Sequence, residues 1–121
     1  MTREDGSRAS PADDIVEAFA AGRLVGLPSD CDPSLDEDGA YLIASEVHAR
    51  RIERGERPVG RKIGFTNRGV WAEYGVDAPI WGHVYDSTVL YATDGHADVA
   101  VDHLIQPCVE PEIQLLSLIH I

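Results

Sequence analysis

The first half of the chain carries apolar residues at helical spacing, beginning with SPADDIVEAFAAG, residues 10–22. Ser10 can cap the first turn with its side-chain oxygen, and Pro11 is tolerated there because the first turn leaves its nitrogen without a helical partner. Gly22 can adopt the left-handed conformation that ends many helices. The pattern therefore predicts a helix whose apolar face is formed by Ile15, Ala18 and Phe19.

A second helix is predicted over residues 34–55, SLDEDGAYLIASEVHARRIERG. Ser34 and Glu37 have the spacing of a capping box, and Gly55 suits the end of the helix. The stretch between the two helices, GRLVGLPSD, is predicted to be extended, and the polar residues 1–9 are predicted to form a disordered leader. The apolar face of the second helix consists of Ala40, Ile43, Ala44 and Val47.

From Pro58 onward the apolar residues recur with a shorter period, and glycine, valine and aromatic residues become more frequent. This pattern predicts strands and tight turns. We expect a strand in VGRKIGFT, a short helix or turn in NRGVWAEYG, two strands around Asp86–Ser87, and one or two strands in residues 96–116. The predicted class is α+β, with a leader at 1–9, a helical region at 10–57 and a β-rich region at 58–121.

Composition and charge narrow the possible partners. The 121 residues, 44% hydrophobic and 26% charged, suit one small globular domain or part of a larger one. A net charge of −11 argues against nucleic acid, and no apolar stretch is long enough to cross a membrane. Two isolated cysteines and the lack of an apolar signal region favour the cytoplasm. The eight acidic residues after Arg68, which no lysine or arginine follows, are either solvated charges or would gain from a bound metal.

The first candidate for chemistry is Lys62, the only lysine in the chain. Side chains alternate across a strand, so Lys62 shares a face with Gly60 and Gly64. Neighbours without side chains leave room for a ligand to approach both the backbone and the ammonium group. A bulge or bend, with the lysine reaching into solvent, explains the same pattern, and spacing alone slightly favours this second reading.

The second candidate is the pair Glu110 and Glu112. On an extended strand, both carboxylates would lie on one face, about 7 Å apart at the backbone. Carboxylate oxygens suit Mg²⁺ or Mn²⁺, which also take oxygens from water and substrate. The alternative is an exposed strand with its polar residues turned outward, and the metal interpretation needs at least one further ligand.

Three segments of the β-rich region, GRKIGFTN, YGVDAPIWGHVYD and LIQPCVEPEI, follow one another in this order. Together they resemble the 2-keto-4-pentenoate hydratase and 4-oxalocrotonate decarboxylase group of the fumarylacetoacetate hydrolase superfamily. That group has a Lys-Ile-Gly strand, then GV-x-x-P-x-x-G, then P-x-(I/V)-E-x-E-(I/L). The order and spacing match across residues 58–113, whereas the N-terminal helices are compatible with the group but much less specific.

The resemblance implies N-terminal helices followed by the start of a mixed β-roll, incomplete in this chain. It implies that Glu110 and Glu112 are two of three carboxylate ligands to Mg²⁺ or Mn²⁺, and that Lys62 is the active-site lysine. The candidate pocket residues are Gly64, Trp81 and Tyr85.

The resemblance also implies a reaction. The substrate would be a small 2-oxo or 2-hydroxydienoic acid. A hydratase adds water to a 2-hydroxy-2,4-dienoate in aromatic meta-cleavage catabolism, and a 4-oxalocrotonate decarboxylase releases CO₂ at the same kind of site. The implied partners are further copies of the chain in a homo-oligomer, or a hydratase–decarboxylase complex.

The end of the chain departs from this group. Its members are longer and supply their third carboxylate after the Glu-x-Glu strand, and LSLIHI does not resemble their continuation. We therefore expect residues 114–121 to be non-native and the chain to be truncated. An inactive fragment or a structural partner is the alternative to an enzyme.

Overall fold

The structure, a computed structural model, describes residues 10–117, so the predicted leader at 1–9 and residues 118–121 lie outside the described range. The chain divides into two compact units. Of the described residues, one unit comprises 10–55 together with Val101–Gln106, and the other comprises Glu56–Ala100 and 107–117. The helical unit thus takes in Val101–Gln106, a segment that the sequence pattern assigns to the β-rich region.

The elements confirm the predicted α+β character, because helices precede a small antiparallel sheet. The first unit contains α1 (Pro11–Ala21), α2 (Pro28–Cys31) and α3 (Glu37–Glu53). The second contains β1 (Pro58–Gly64), α4 (Trp71–Tyr74), β2 (Ile80–Tyr85) and β3 (Ile113–Leu116), with 3₁₀ turns at Arg68–Val70 and Asp86–Thr88.

Local chemistry sets the limits of α1 as predicted. The Ser10 hydroxyl accepts a hydrogen bond from the backbone N–H of Ala12, Pro11 opens the first turn, and Gly22 ends the helix at φ 61°. The predicted apolar face is wrong in part, because Phe19 is 63% exposed. The buried residues of α1 are Ala12, Val16 and Ala18.

The start of α3 differs from the prediction. Its cap is Asp36, whose carboxylate accepts from the backbone N–H of Gly39 at 2.8 Å. Ser34 does not form the predicted capping box, since its hydroxyl and its backbone N–H both donate to Asp32. These two hydrogen bonds lower the pKa of Asp32. The stretch predicted as extended between the helices also contains the short helix α2.

Three arginines near the end of α3 join it to α1. Arg50 Nε donates to Asp13 Oδ1 at 2.8 Å, and this hydrogen bond and its charge raise the pKa of Arg50. Arg54 donates to the carbonyl oxygen of Val16 at 3.3 Å, and the Arg51 guanidinium lies 4.7 Å from the centre of the Phe19 ring. Because no residue of α3 itself is buried, these polar contacts supplement the small apolar surface that α1 provides.

The second unit is built on a three-stranded sheet in the order β2-β1-β3, with both pairs antiparallel. The register places Lys62 opposite Gly82 in β2 and opposite Gln114 in β3. The buried residues of this unit are Val59, Val84 and Tyr85. Strand β1 is therefore the central strand, and its two faces are fixed by partners on both sides.

The end of the β1–β2 pair is closed by Arg57 and Asp86. The Arg57 backbone N–H donates to Asp86 Oδ1 at 2.9 Å, its Nε donates to Oδ2 at 3.2 Å, and the Asp86 N–H donates back to the Arg57 carbonyl at 2.9 Å. These hydrogen bonds lower the pKa of Asp86. The contacts hold together the two residues that flank the strands, which helps to set their register.

One predicted strand is wrong, and the prediction of one or two strands within residues 96–116 is confirmed by β3 alone. The segment after Asp86–Ser87 forms a 3₁₀ turn and then irregular chain, with one isolated bridge between Thr93 and His96. The strand on which Glu110 and Glu112 would share a face does not form, since β3 begins only at Ile113. Alternating polar and apolar residues form a strand only where a neighbouring strand accepts and donates the backbone hydrogen bonds. Within residues 10–117, the sheet provides no such neighbour for these segments.

The predicted short helix or turn in NRGVWAEYG is confirmed as a 3₁₀ turn followed by α4. Gly75 ends α4 in the left-handed conformation at φ 66°. In the part of the chain that the structure describes, no helix combines the length and the apolarity needed to span a membrane.

Candidate metal and substrate site

The two faces of β1 carry different chemistry. Residues directly opposite in an antiparallel pair lie on the same face, so Lys62 and Gly82 share a face. Gly60 and Gly64 lie on this face as well, because side chains alternate along β1. We call this the glycine face. Lys62 is thus flanked by positions without side chains, both along its own strand and across to β2.

Glu112 reaches the glycine face from the residue just before β3. Extending the β1–β3 register by one residue beyond Ile63 and Ile113 brings Glu112 beside Gly64. Its carboxylate oxygen Oε2 lies 2.6 Å from Lys62 Nζ. The Glu112 side chain is 18% exposed and that of Lys62 is 42% exposed, so the ion pair is partly shielded from water.

Gly64 makes this approach possible. A Cβ atom at position 64 would lie 2.6 Å from Glu112 Oε1, closer than real Cβ contacts allow. The Glu112 carboxylate therefore occupies the space that a side chain at Gly64 would fill. The room that the sequence predicts beside Lys62 exists, and the structure fills part of it with a carboxylate from the chain itself.

Glu110 lies two residues earlier, in irregular chain, and is exposed. Because the strand begins only at Ile113, strand alternation does not fix its direction relative to Glu112. Within residues 10–117, no group of three or more His, Cys, Asp or Glu side chains is placed to hold a metal ion. The two glutamates are thus the metal-ligand candidates that the described chain offers at this position.

The donor set fits a hard divalent cation in its chemistry. Both candidates supply carboxylate oxygens, the ligands that Mg²⁺ and Mn²⁺ prefer, and Mg²⁺ usually keeps several waters as well. The space left by the missing side chain of Gly64, which we call the cradle, holds the Glu112 carboxylate at the sheet surface. The Lys62 ammonium already provides a cation there. The residue types present therefore fit such an ion in their chemistry, and of the two carboxylates the structure places that of Glu112 on the glycine face.

The opposite face carries Arg61, Trp81 and His83, and we call it the aromatic face. The Arg61 guanidinium lies 4.7 Å from the Trp81 ring, and the Trp81 and His83 rings meet edge-to-face at 5.2 Å. The His83 and Tyr85 rings follow at 6.3 Å. Of the predicted pocket residues, the structure brings Gly64 to Lys62 and Glu112, and it does not bring Trp81 or Tyr85 there.

The turn after β1 is a feature that sequence reasoning missed. Phe65 adopts φ 58°, a conformation that non-glycine residues rarely adopt and that costs of order 1–3 kcal/mol. Its carbonyl oxygen accepts a hydrogen bond from the Trp71 indole N–H at 2.8 Å, and its ring meets the Tyr74 ring edge-to-face at 5.3 Å. These contacts fix the end of β1 directly after Gly64. The aromatic residues in NRGVWAEYG were the available signal.

Comparisons with known proteins give a consistent result. No model of a known protein family matches the chain. A 2-keto-4-pentenoate hydratase of Burkholderia vietnamiensis is 41% identical over 113 residues, which are 93% of this chain and 42% of that protein. A 4-oxalocrotonate decarboxylase of a Pseudomonas species is 42% identical over 87 residues, covering 67% of this chain and 33% of that protein.

Solved structures of 4-oxalocrotonate decarboxylase from Pseudomonas putida G7 are also similar. They superpose with a TM-score of 0.60 at 30% identity and cover 63% of this chain and 29% of theirs. One is complexed with calcium and acetate, and the other with magnesium and adipate. The predicted resemblance to the hydratase and decarboxylase group is thus confirmed. The chain spans about two fifths of the length of the first hydratase, at 42%.

Proposed function

We propose that this chain provides part of the active site of a metal-dependent lyase that adds water to a 2-hydroxy-2,4-dienoate, as a 2-keto-4-pentenoate hydratase does. The observation that carries the proposal is the contact between Lys62 Nζ and Glu112 Oε2 on the glycine face. It joins the first and third motifs of the resemblance, 50 positions apart in the sequence. The similarity to named hydratases over 93% of the chain supports it.

In this proposal Glu110 and Glu112 hold Mg²⁺ or Mn²⁺, with further ligands from water and from the substrate. A bound divalent cation would stabilise the negative charge that develops on the C2 oxygen of the substrate during enol–keto exchange. The magnesium and calcium complexes of the similar decarboxylase support the use of a divalent cation. The carboxylates of the chain neutralise such an ion and orient it at the sheet surface.

Lys62 has the role of hydrogen-bond donor and proton carrier toward the substrate. Its ammonium group can donate up to three hydrogen bonds, and the glycines around it leave its end accessible to a planar acid. Gly64 forms part of the pocket floor. We place the pocket on the glycine face, and Trp81 and Tyr85 contribute to a pocket only if a wall forms from the aromatic face in a larger assembly.

The remaining elements of the proposal concern architecture. The helices and the sheet belong to the start of a mixed β-roll, which the similarity to the decarboxylase structure supports at the level of an α+β fold. Both outer strands of the sheet, β2 and β3, have an edge to which a further strand can add. We propose that these edges are covered in a homo-oligomer or in a hydratase–decarboxylase complex. Analytical ultracentrifugation of the chain measures its oligomeric state.

The test is turnover of 2-hydroxypenta-2,4-dienoate by the full-length protein with Mg²⁺ or Mn²⁺, followed by the loss of dienol absorbance. We expect metal-dependent turnover, and we expect Glu112→Gln to abolish it. Glu73→Gln, on the exposed surface of α4, removes the same charge outside the site and serves as the matched control. Equal rates with and without metal, or no turnover with either metal, would refute the hydratase proposal.

The second candidate reaction is decarboxylation of a 4-oxalocrotonate-type acid at the same residues. The similarity to a named decarboxylase at 42% identity favours it, over 67% of the chain. Release of CO₂ from the dicarboxylic acid, without hydration of the dienoate, would select the decarboxylase.

A non-catalytic role, as a fragment or as a structural partner, is the third candidate. The two-carboxylate shell within the described residues supports it. Absence of both reactions, together with Mn²⁺ binding too weak to measure, would favour this role.

A further inference from the structure

Lys62 is the cation that the chain itself supplies to Glu112. No lysine or arginine follows Arg68 in the sequence, while eight acidic residues do. The neighbouring cation in β1, Arg61, lies on the aromatic face against Trp81. The ion pair of 2.6 Å therefore joins a carboxylate that the proposed function assigns to a metal and an ammonium group that it assigns to the substrate.

We propose that Lys62 occupies the cation position of Glu112 until a divalent cation displaces it, so that metal loading and release of the lysine toward substrate are one event. This inference rests on the proposed function and adds a form of regulation to the same site. Without metal, the ammonium neutralises Glu112 and Lys62 is held away from substrate. With metal, the ion takes the place of the ammonium at the Glu112 carboxylate, and the lysine is free to act.

The geometry provides the freedom that such an exchange needs. Lys62 is 42% exposed, and across the sheet it faces Gly82, where even an added Cβ would lie 3.9 Å from Lys62 Cγ. The ammonium can therefore move toward Gly82 without displacing a side chain, whereas on the β3 side Lys62 lies opposite Gln114. Glu112 is the less mobile partner, since its carboxylate lies in the cradle at Gly64 and its side chain is 18% exposed.

The charges determine the direction of the exchange. An ammonium and a divalent cation compete for the same carboxylate oxygens, and the divalent ion interacts more strongly at equal distance because it carries twice the charge. A displaced ammonium regains water at the exposed edge of the site, which limits the cost of its release. An apo site built in this way keeps Glu112 oriented without an ion.

The first test compares Mn²⁺ affinity in two charge-matched variants, measured from the electron paramagnetic resonance signal of free Mn²⁺. Lys62→Met removes the competing ammonium, whereas Arg61→Met removes the same charge one residue away on the opposite face. We expect Lys62→Met to bind Mn²⁺ about three- to tenfold more tightly than wild type, a range typical of coupling between residues in contact. Arg61→Met should stay within about twofold of wild type, because its charge is exposed and screened.

If wild type binds Mn²⁺ and Lys62→Met binds it no more tightly, the exchange is refuted while the metal site stands. If neither wild type nor Lys62→Met binds Mn²⁺, the metal site of the proposed function is refuted, and the exchange is refuted with it. Circular dichroism of each variant confirms that it folds before affinities are compared.

The second test uses the fact that Lys62 is the only lysine, so that its acylation can be followed by mass spectrometry against the α-amino group as internal reference. Mg²⁺ should raise the acylation rate of Lys62 severalfold in wild type by releasing it from Glu112. In Glu112→Gln the rate should be high without Mg²⁺ and should not respond to it. A wild-type rate that Mg²⁺ leaves unchanged or lowers would overturn the exchange.

Discussion

The two faces of the three-stranded sheet are built from the same strands and serve different purposes. On the glycine face, Gly60, Gly64 and Gly82 neighbour Lys62, and Gly64 leaves the space in which Glu112 reaches it. On the aromatic face, Arg61 lies over Trp81 and the aromatic rings of β2 contact one another. Around Lys62 the first face lacks side chains on β1 and β2 and so has room for a charged pair, whereas the second face carries ring contacts and a cation–π contact between these strands.

The glycines of the first face are themselves not equivalent. A Cβ atom at Gly60 would overlap with the carbonyl oxygen of Leu115, which belongs to the backbone of β3. At Gly64 the obstacle is the end of the Glu112 side chain, which can rotate away. Gly60 is therefore required for packing of the strands, whereas Gly64 is required for the position of one carboxylate.

The largest expected effect follows from this difference. Gly60→Ala forces β3 away from β1 and should lower the free energy of unfolding by roughly 3 kcal/mol, at the upper end of overpacking costs. Urea denaturation followed by circular dichroism measures it. An unfolding midpoint equal to that of wild type would show that β3 does not hold this close approach in solution.

The next effect tests the aromatic face. Trp81→Ala removes the ring contact with His83 and the cation–π contact with Arg61, and should cost about 1–2 kcal/mol, since Trp81 is 43% exposed. Arg61→Met should cost about 0.5–1 kcal/mol, the value of an exposed cation–π pair. If Arg61→Met lowers the free energy of unfolding more than Trp81→Ala does, the Trp81 ring is not the main source of stability on this face.

A smaller change in stability, with a clear change at the site, is expected for Gly64→Ala. Alanine is compatible with the extended backbone there, so the free energy of unfolding should change by less than about 1 kcal/mol. The added methyl group displaces the Glu112 carboxylate from Lys62, and the acylation rate of Lys62 should rise. A Gly64→Ala variant with an unchanged acylation rate would contradict the cradle.

The smallest expected effect lies at the end of the strands, outside both faces. The pKa of Asp86 is lowered by its hydrogen bonds from Arg57, so its contribution to stability is present above its ordinary pKa of about 3.8. The contribution is lost as the pH falls through the lower folded-state value. Asp86→Asn should lower the midpoint of thermal unfolding at pH 7 slightly and leave it unchanged near pH 2. A difference that persists at pH 2 would exclude the charge as its cause.

The two units also differ in how much of their structure the sequence predicts. The limits of α1 depend on Ser10, Pro11 and Gly22, which act on their own neighbouring turns, and the prediction is confirmed. The cap of α3 was assigned wrongly because Ser34 and Asp36 both suit the role, and the hydrogen bonds between Asp32 and Ser34 decide in favour of Asp36. The strand predicted after Ser87 is wrong because a strand needs a partner, which alternation in one segment does not supply.

For the candidate site, the sequence by itself determined the content of the glycine face. A period of two residues in β1 is a local property, so Gly60, Lys62 and Gly64 had to share a face once the segment was extended. Motif order also placed Lys62 and the two glutamates in one family pattern. The tertiary structure alone decided which glutamate meets the lysine. The β1–β3 register brings Glu112 beside Gly64 and Lys62, because cross-strand pairing depends on hydrogen bonds between segments 50 residues apart, which no local pattern encodes.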